Sequence, residues 1–241
     1  MSLNDPVIYT LECYGNTFGD EGVQSMAEYL KSNTTIKSIN LSINRIGNKG
    51  AQIISELLKS NSTITSINLS GNEIGNEGIQ FLSESLKSNT TLTSINLSDN
   101  KVDIAGAHLM LDCLRVNSTI STLNITSPHY PDYINEAVSV ITQKKPLLEI
   151  SDRRIGKAES QFIAECLRSS TTITTVNLPC NEIGSEGAPF IAESLMSNST
   201  ITYVDLRGNK LSKGAQFMAE SLKRNSSITS INLSENQIGN E

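Results

Sequence analysis

Few residues in this chain are equipped for covalent or metal chemistry. It has two histidines, His108 and His129, and four cysteines, Cys13, Cys113, Cys166 and Cys180. The cysteines are too scattered for a CxxC pair or a zinc-finger spacing. A disulfide framework and a zinc site are therefore not expected, and a reducing compartment is the natural setting. No Walker loop, GxGxxG or HExxH run occurs. His108 lies in a helical stretch beside Leu109, the setting of a structural histidine. His129 lies in a proline-rich turn with no serine or cysteine nucleophile placed beside it. No nucleophile–base pair or metal set converges, so the sequence argues against an enzyme and implies no cofactor. Asn-x-Ser/Thr triplets recur at Asn33, Asn61, Asn89, Asn117 and Asn198. Without a visible signal sequence they read as by-products of a repeat rather than glycan sites.

That repeat positions everything else. The phrase from Ile64, I-T-S-I-N-L-S-G-N-E-I-G-N-E-G, recurs with small changes from Ile36, Leu92, Ile173 and Ile201. Weaker copies start near Ile8, Ile120 and Lys145, and a ninth begins at Ile228 and stops mid-unit at Glu241. The period is about 28 residues, which predicts a solenoid whose units bury their apolar faces against one another. Ile67 and Leu69 alternate with Ser66, Asn68 and Ser70, the pattern of a strand with one buried face. Asn72 leaves the strand where backbone groups lose ladder partners. It and Asn16, Asn44, Asn100, Asn181, Asn209 and Asn236 are expected to satisfy those groups. Gly75 and Gly78 punctuate the turn into a helix over residues 77–88, with Ile79, Leu82 and Leu86 on one face. Asn89 is expected to end that helix in the left-handed conformation.

These motifs, LxxLxLxxN, then I-G-x-x-G, then a helix, resemble the ribonuclease-inhibitor-like class of leucine-rich repeats over nearly the whole chain. The resemblance implies an α/β solenoid in the form of a horseshoe arc, with a parallel concave sheet and convex helices. One domain over residues 1–241 is expected, with about eight repeats, a truncated ninth and an irregular repeat at 120–144. Similar Asn/Ser/Thr-rich repeats occur in nucleotide-binding immune receptors, Ran GTPase activators and effectors of intracellular bacteria. The wording here looks most like the effectors. What this implies is a protein-binding module that occludes a host protein or another effector. A Ran-activator-type GTPase activator and the sensor part of a larger receptor are the alternatives. The Ran-type reading lacks that family's acidic tail, and no arginine is clearly poised to work in trans.

Binding residues are sought where the repeat departs from its consensus. In the unit starting near Ile120, the turn reads Ser127-Pro128-His129-Tyr130-Pro131-Asp132-Tyr133. Tyr130 and Tyr133 there are candidate partner contacts, since aromatic side chains dominate binding hot spots. In the next unit Arg153 stands at the ladder-asparagine position and Glu159 at the second turn glycine. Glu149, Asp152, Arg153 and Arg154 form either a local salt-bridge patch or a charge pattern for a partner. Central strands offer only Ser and Asn to the concave side. The first strand offers Thr10, Glu12 and Tyr14, and the eighth Tyr203, Asp205 and Arg207. The last three lead the candidate contacts.

Charge and composition narrow the partner. A formal net charge of −6 argues against a nucleic-acid binder. Residues 1–7 show no basic n-region or apolar h-region, and no apolar run reaches membrane-spanning length, so no membrane insertion is expected. The expected location is cytoplasmic, or, for a bacterial effector, the host cell after export without a classical signal. A unit that stops without its helix implies either further chain or an open end that self-associates.

Overall fold

A computed structural model describes residues 8–126 and 133–239. The chain separates into two compact units, Met1–Tyr130 and Pro131–Glu241. The first runs β1 (Thr10–Glu12), α1 (Gly19–Leu30), β2 (Ser38–Asn40), α2 (Asn48–Ser60), β3 (Ser66–Asn68), α3 (Asn76–Leu86), β4 (Ser94–Asn96), α4 (Ile104–Leu114) and β5 (Thr122–Asn124). The second runs α5 (Tyr133–Thr142), β6 (Leu147–Glu149), α6 (Lys157–Ser169), β7 (Thr175–Asn177), α7 (Gly184–Ser197), β8 (Tyr203–Asp205), α8 (Ala215–Arg224) and β9 (Ser230–Asn232). Strands β1 to β5 form one parallel sheet and β6 to β9 another, each in chain order. This is the α/β leucine-rich-repeat solenoid that the period implies.

Each strand is only three residues long, and its middle residue points to the helices. Ile39, Ile67, Ile95 and Leu123 stand in register across the first sheet and are buried. Ile54, Leu58, Leu82 and Leu86 meet them from the helix side, also buried. Burying each such side chain contributes roughly 2 kcal/mol. The flanking strand residues are half-exposed on the opposite, open face.

Strands this short leave much of the backbone of a repeat at its bends. The first bend is closed as expected. Asn72 is buried; its Oδ1 accepts the N–H groups of Asn44 (2.9 Å) and Ile46 (3.0 Å). Its Nδ2 donates to the carbonyls of Leu41 and Leu69, each at 2.9 Å. Asn44, Asn72, Asn100, Asn181, Asn209 and Asn236 thus reach back into the preceding repeat, whereas Asn16 bonds only the Cys13 and Tyr14 carbonyls of its own. The residue before the ladder position is left-handed: φ lies between 53° and 67° at Ile43, Gly71, Asp99, Asp152, Cys180, Gly208 and Glu235.

The second bend corrects the expectation for Asn89. The equivalent asparagines are extended, not left-handed: Asn61 has φ −88° and ψ 122°, and Asn198 φ −86° and ψ 133°. The reason is a second ladder. Asn89 Oδ1 accepts the N–H of Thr91 (3.0 Å) and Leu92 (2.7 Å), while Nδ2 donates 2.8 Å to the Leu58 carbonyl in the last turn of α2. It therefore caps the C-terminus of the preceding repeat's helix, whose last carbonyls have no partner within the helix. Asn61, Asn117, Asn198 and Asn225 do the same for Leu30, Leu86, Leu167 and Leu195. Ser170 substitutes in the irregular region, donating to the Val140 carbonyl at 3.2 Å.

The helix starts are also closed from the preceding repeat. Asn48 Oδ1 accepts from Gly75 (2.8 Å) and Gly78 (3.2 Å). Gly78 is small for this reason rather than for its turn. A Cβ there would meet Ile74 Cγ2 at 2.7 Å and Asn48 Oδ1 at 2.9 Å. The helix begins at Asn76 and ends at Leu86, a residue earlier at its start and two at its end than the sequence pattern suggests. In α6, where Glu159 replaces that glycine, its carboxylate accepts the Gly156 N–H at 3.0 Å and caps the helix locally.

Asp103 caps α4. Its Oδ1 accepts from Ala105 (2.8 Å) and Gly106 (3.4 Å), and Asn76 Nδ2 donates to it at 2.7 Å. Burial pushes this carboxyl up, but those hydrogen bonds outweigh it and hold it below the ordinary carboxylate value. A depressed carboxylate stabilises above its unfolded value and loses that contribution as pH falls through the folded one. Asp103→Ala is expected to cost about 1 kcal/mol near neutral pH. In urea denaturation the gap between variant and native chain should narrow as pH falls below the unfolded value of 3.8.

Candidate functional site

The open face of the second sheet is where side chains depart from Ser and Asn. Register places Leu147, Thr175, Tyr203 and Ser230 in one row and Glu149, Asn177, Asp205 and Asn232 in the next. Adjacent members of a row stand about 4.8 Å apart. Leu147 and Tyr203 are 40 % and 36 % exposed, an apolar pair on either side of Thr175. Beyond the strand ends lie Ser151, Pro179 and Arg207, then Asp152 and Cys180.

Glu149, Asp152, Arg153, Arg154 and Arg207 are exposed, and Asp205 is half-buried. Among the described residues, none of the six enters an ion pair. The salt-bridge patch considered for Glu149, Asp152, Arg153 and Arg154 is therefore not formed. The ion pairs present, such as Lys157–Glu186 (3.1 Å) and Lys210–Glu182 (3.0 Å), lie on helices or in the turns leading to them. Arg153 does occupy the ladder position. Its backbone N–H donates 3.0 Å to Asn181 Oδ1, so the backbone bond of the ladder survives while the side chain is released outward. Asp205 Oδ1 accepts the Arg207 N–H at 2.8 Å, which fixes the carboxylate beside the arginine's backbone.

One residue here was not legible as special. Asn68 and Asn96 each accept the N–H two residues on, from Ser70 and Ser98, at 3.0 Å. At Asn177 that position is Pro179, which has no N–H. Asn177 Oδ1 is accordingly buried without a partner. Its signal in the sequence was the proline itself, two residues after a strand asparagine.

Of the remaining candidates, Tyr133 joins Glu149 and Arg153 in lining one cavity, and the others are dispersed. Glu12 accepts Asn40 Nδ2 at 2.8 Å, and Tyr14 is 62 % exposed, both in the first unit. Tyr130 lies outside the described residues, as do Pro128 and His129. Tyr133 is not in a surface turn: it opens α5 and is buried at 4 % exposure. Cys180 is exposed, and Cys113 and Cys166 are buried in helices. Burial pushes the Cys113 thiol up to about 11. Cys13, at the repeat position of the buried Leu69, is half-buried in the first unit; burial, then Glu12, raises its thiol. Among the described residues no group of His, Cys, Asp or Glu gathers to hold a metal ion, and no helix is long and apolar enough to cross a membrane.

A family model described as "Leucine Rich repeat" matches residues 32–55, 60–83, 88–108, 169–192, 197–214 and 224–241, together more than half of the chain. The chain belongs to the leucine-rich repeat family. No curated protein sequence matches this leucine-rich repeat chain significantly. Among solved structures it is similar to leiomodin-1 actin-binding site 2, at 25 % identity and TM-score 0.51 over 58 % of this chain and 82 % of that one. It is also similar to the tropomodulin C-terminal domain of Caenorhabditis elegans, at 15 % identity and TM-score 0.47, over 56 % and 83 %. An internalin of Listeria monocytogenes gives 17 % identity and TM-score 0.36, over 85 % and 56 %.

The missing donor at Pro179 separates two asparagines that look alike in sequence. Asn68→Ala should cost about 1 kcal/mol, the worth of one hydrogen bond, whereas Asn177→Ala should be close to neutral. Urea midpoints of the two variants check this.

Proposed function

We propose that this leucine-rich repeat chain is a non-catalytic protein-binding module whose main contact is the open sheet face of the second unit. The observation that carries the reading is the exposed pair Leu147 and Tyr203 on strands that also carry Glu149 and Asp205, with Asp152, Arg153 and Arg207 beyond the strand ends and none of these charges, among the described residues, in an ion pair. Charges not neutralised by an ion pair within the chain are available to set a partner's register. Tyr and Arg are the residue types that dominate hot spots, so Tyr203 and Arg207 are the proposed anchors. Asp205, Glu149, Asp152 and Arg153 supply the polar surround, and Glu12 and Tyr14 a secondary contact on the first unit. Both units are taken to serve one binding module.

The helices α1 to α8, 10 to 14 residues long, support the ribonuclease-inhibitor-like subtype. Similarity to a leiomodin segment described as an actin-binding site supports a protein as the partner and makes actin the first to test. Occlusion of that partner, and an effector role against a host protein in its cytoplasm, extend the proposal on the wording of the repeats.

The test compares the chain with a Tyr203→Ala, Asp205→Ala, Arg207→Ala variant. Both are titrated against purified monomeric and filamentous actin, then used as baits in bacterial and eukaryotic lysates. A partner should bind the native chain and lose at least about tenfold in affinity with the variant, a change of about 1.4 kcal/mol. Equal binding to both baits would contradict the assignment of the face. No partner for either would contradict the binding role.

A further inference from the structure

The second asparagine ladder gives the Asn-x-Ser/Thr triplets a meaning that goes beyond partner binding. Asn61-Ser-Thr63, Asn89-Thr-Thr91, Asn117-Ser-Thr119, Asn198-Ser-Thr200 and Asn225-Ser-Ser227 are all formal acceptors for an N-linked oligosaccharide. The atom that such a transfer modifies is Nδ2. In each of these residues Nδ2 is the group that holds two repeats together. Asn117 spends both hydrogens, on the carbonyls of Leu86 (2.6 Å) and Asn89 (2.9 Å). Asn198 does so on Leu167 (3.0 Å) and Ser170 (3.1 Å), and Asn225 on Leu195 (2.7 Å) and Asn198 (2.9 Å). Asn61, Asn89, Asn117 and Asn198 are 5 to 7 % exposed.

In the transfer, a bond forms between Nδ2 and the anomeric carbon of a lipid-pyrophosphate-linked oligosaccharide. The carbon–oxygen bond to the pyrophosphate breaks, its electron pair leaves with the pyrophosphate, and Nδ2 gives up one proton. Nδ2 then keeps one hydrogen where Asn117 and Asn198 need two. The sugar would occupy the 2.6 to 3.1 Å gap now filled by a hydrogen bond. The helix-end carbonyl opposite would be buried without a donor.

Other triplets provide an internal contrast. Asn33 Nδ2 reaches only the Tyr29 hydroxyl, at 3.5 Å. On the open sheet face, Asn68-Leu-Ser70 and Asn96-Leu-Ser98 use Oδ1 for their backbone bond and leave Nδ2 outside the inter-repeat ladders.

We propose that N-linked glycosylation at Asn61, Asn89, Asn117, Asn198 and Asn225 excludes this fold, so the chain must fold in a compartment where oligosaccharide transfer to asparagine does not occur. Any partner it meets elsewhere is met by a chain already folded.

The experiment directs the full chain into the secretory pathway of a eukaryotic cell with an added signal sequence. Glycan occupancy is mapped site by site, and folding is read by resistance to limited proteolysis. A second chain carries Thr63→Ala, Thr91→Ala, Thr119→Ala, Thr200→Ala and Ser227→Ala, which removes five acceptors and keeps every ladder asparagine. A third arm treats the unaltered chain with an inhibitor of lipid-linked oligosaccharide synthesis, so that folding is read without any substitution. The unaltered chain should be glycosylated and cleaved about tenfold faster or more than the inhibitor-treated one. The five-fold variant should resist cleavage even with glycans on Asn33 or the open-face asparagines. A protease-resistant chain carrying glycans at Asn61, Asn89, Asn117, Asn198 or Asn225 would overturn the proposal. So would an untreated, unglycosylated native chain that folds in that compartment.

Discussion

Satisfying the backbone at the bends is the constraint on which the rest of this structure depends. A repeat of about 28 residues with a three-residue strand turns twice, and each turn takes peptide groups out of ladder and helix. Two asparagines per repeat resolve this. Asn72 and its equivalents close the bend after the strand; Asn89 and its equivalents close the bend after the helix. In both series the amide reaches back into the repeat before it. A repeat is therefore finished only when the next one has folded onto it, which gives a physical form to the nearest-neighbour cooperativity of solenoids. It also explains why amide side chains are buried in a core otherwise made of Ile and Leu: their Nδ2 groups donate to backbone carbonyls, and their Oδ1 atoms accept backbone N–H groups except at Asn209, whose Oδ1 is buried without a partner.

Interruptions of these ladders gather in the second unit. Arg153 replaces a ladder asparagine, Ser170 replaces a helix-capping one, and Pro179 silences the donor that Asn177 Oδ1 would use. Exposed arginines and carboxylates without ion pairs share that unit's sheet side. Beads of Ser and Asn on β2 to β4 are what the repeat produces when only the fold is constrained. On the second sheet Asp205 keeps the backbone bond that Asn68 and Asn96 make, while Tyr203 and Arg207 add exposed bulk and charge to the open face.

The repeat period, the buried strand positions and the Asn72 series were legible because a single periodic pattern states them many times over, the asparagine in seven units. Details that depend on which neighbour a group finds were not. Asn89 reads as a left-handed helix end in isolation, and only the Leu58 carbonyl of the preceding repeat explains its extended backbone. Gly78 reads as a turn glycine, whereas Asn48 from the preceding repeat is what forbids a Cβ. Tyr133 reads as part of a proline turn because helix starts are hard to fix where both glycines of the consensus are gone. For the candidate site, residue types were legible and pairing was not: whether Glu149 meets Arg153 or Arg154 is decided by side-chain reach, which a sequence does not state.

Native-state hydrogen exchange in an Asn72→Ala variant tests the central claim most directly. Asn72 Oδ1 holds the amides of Asn44 and Ile46, which lie in the preceding repeat. If the ladder joins repeats, those two amides lose protection by about tenfold or more, well beyond the change at the equivalent bend held by Asn236. Unchanged protection at Asn44 and Ile46, or a uniform loss across both units, would contradict it.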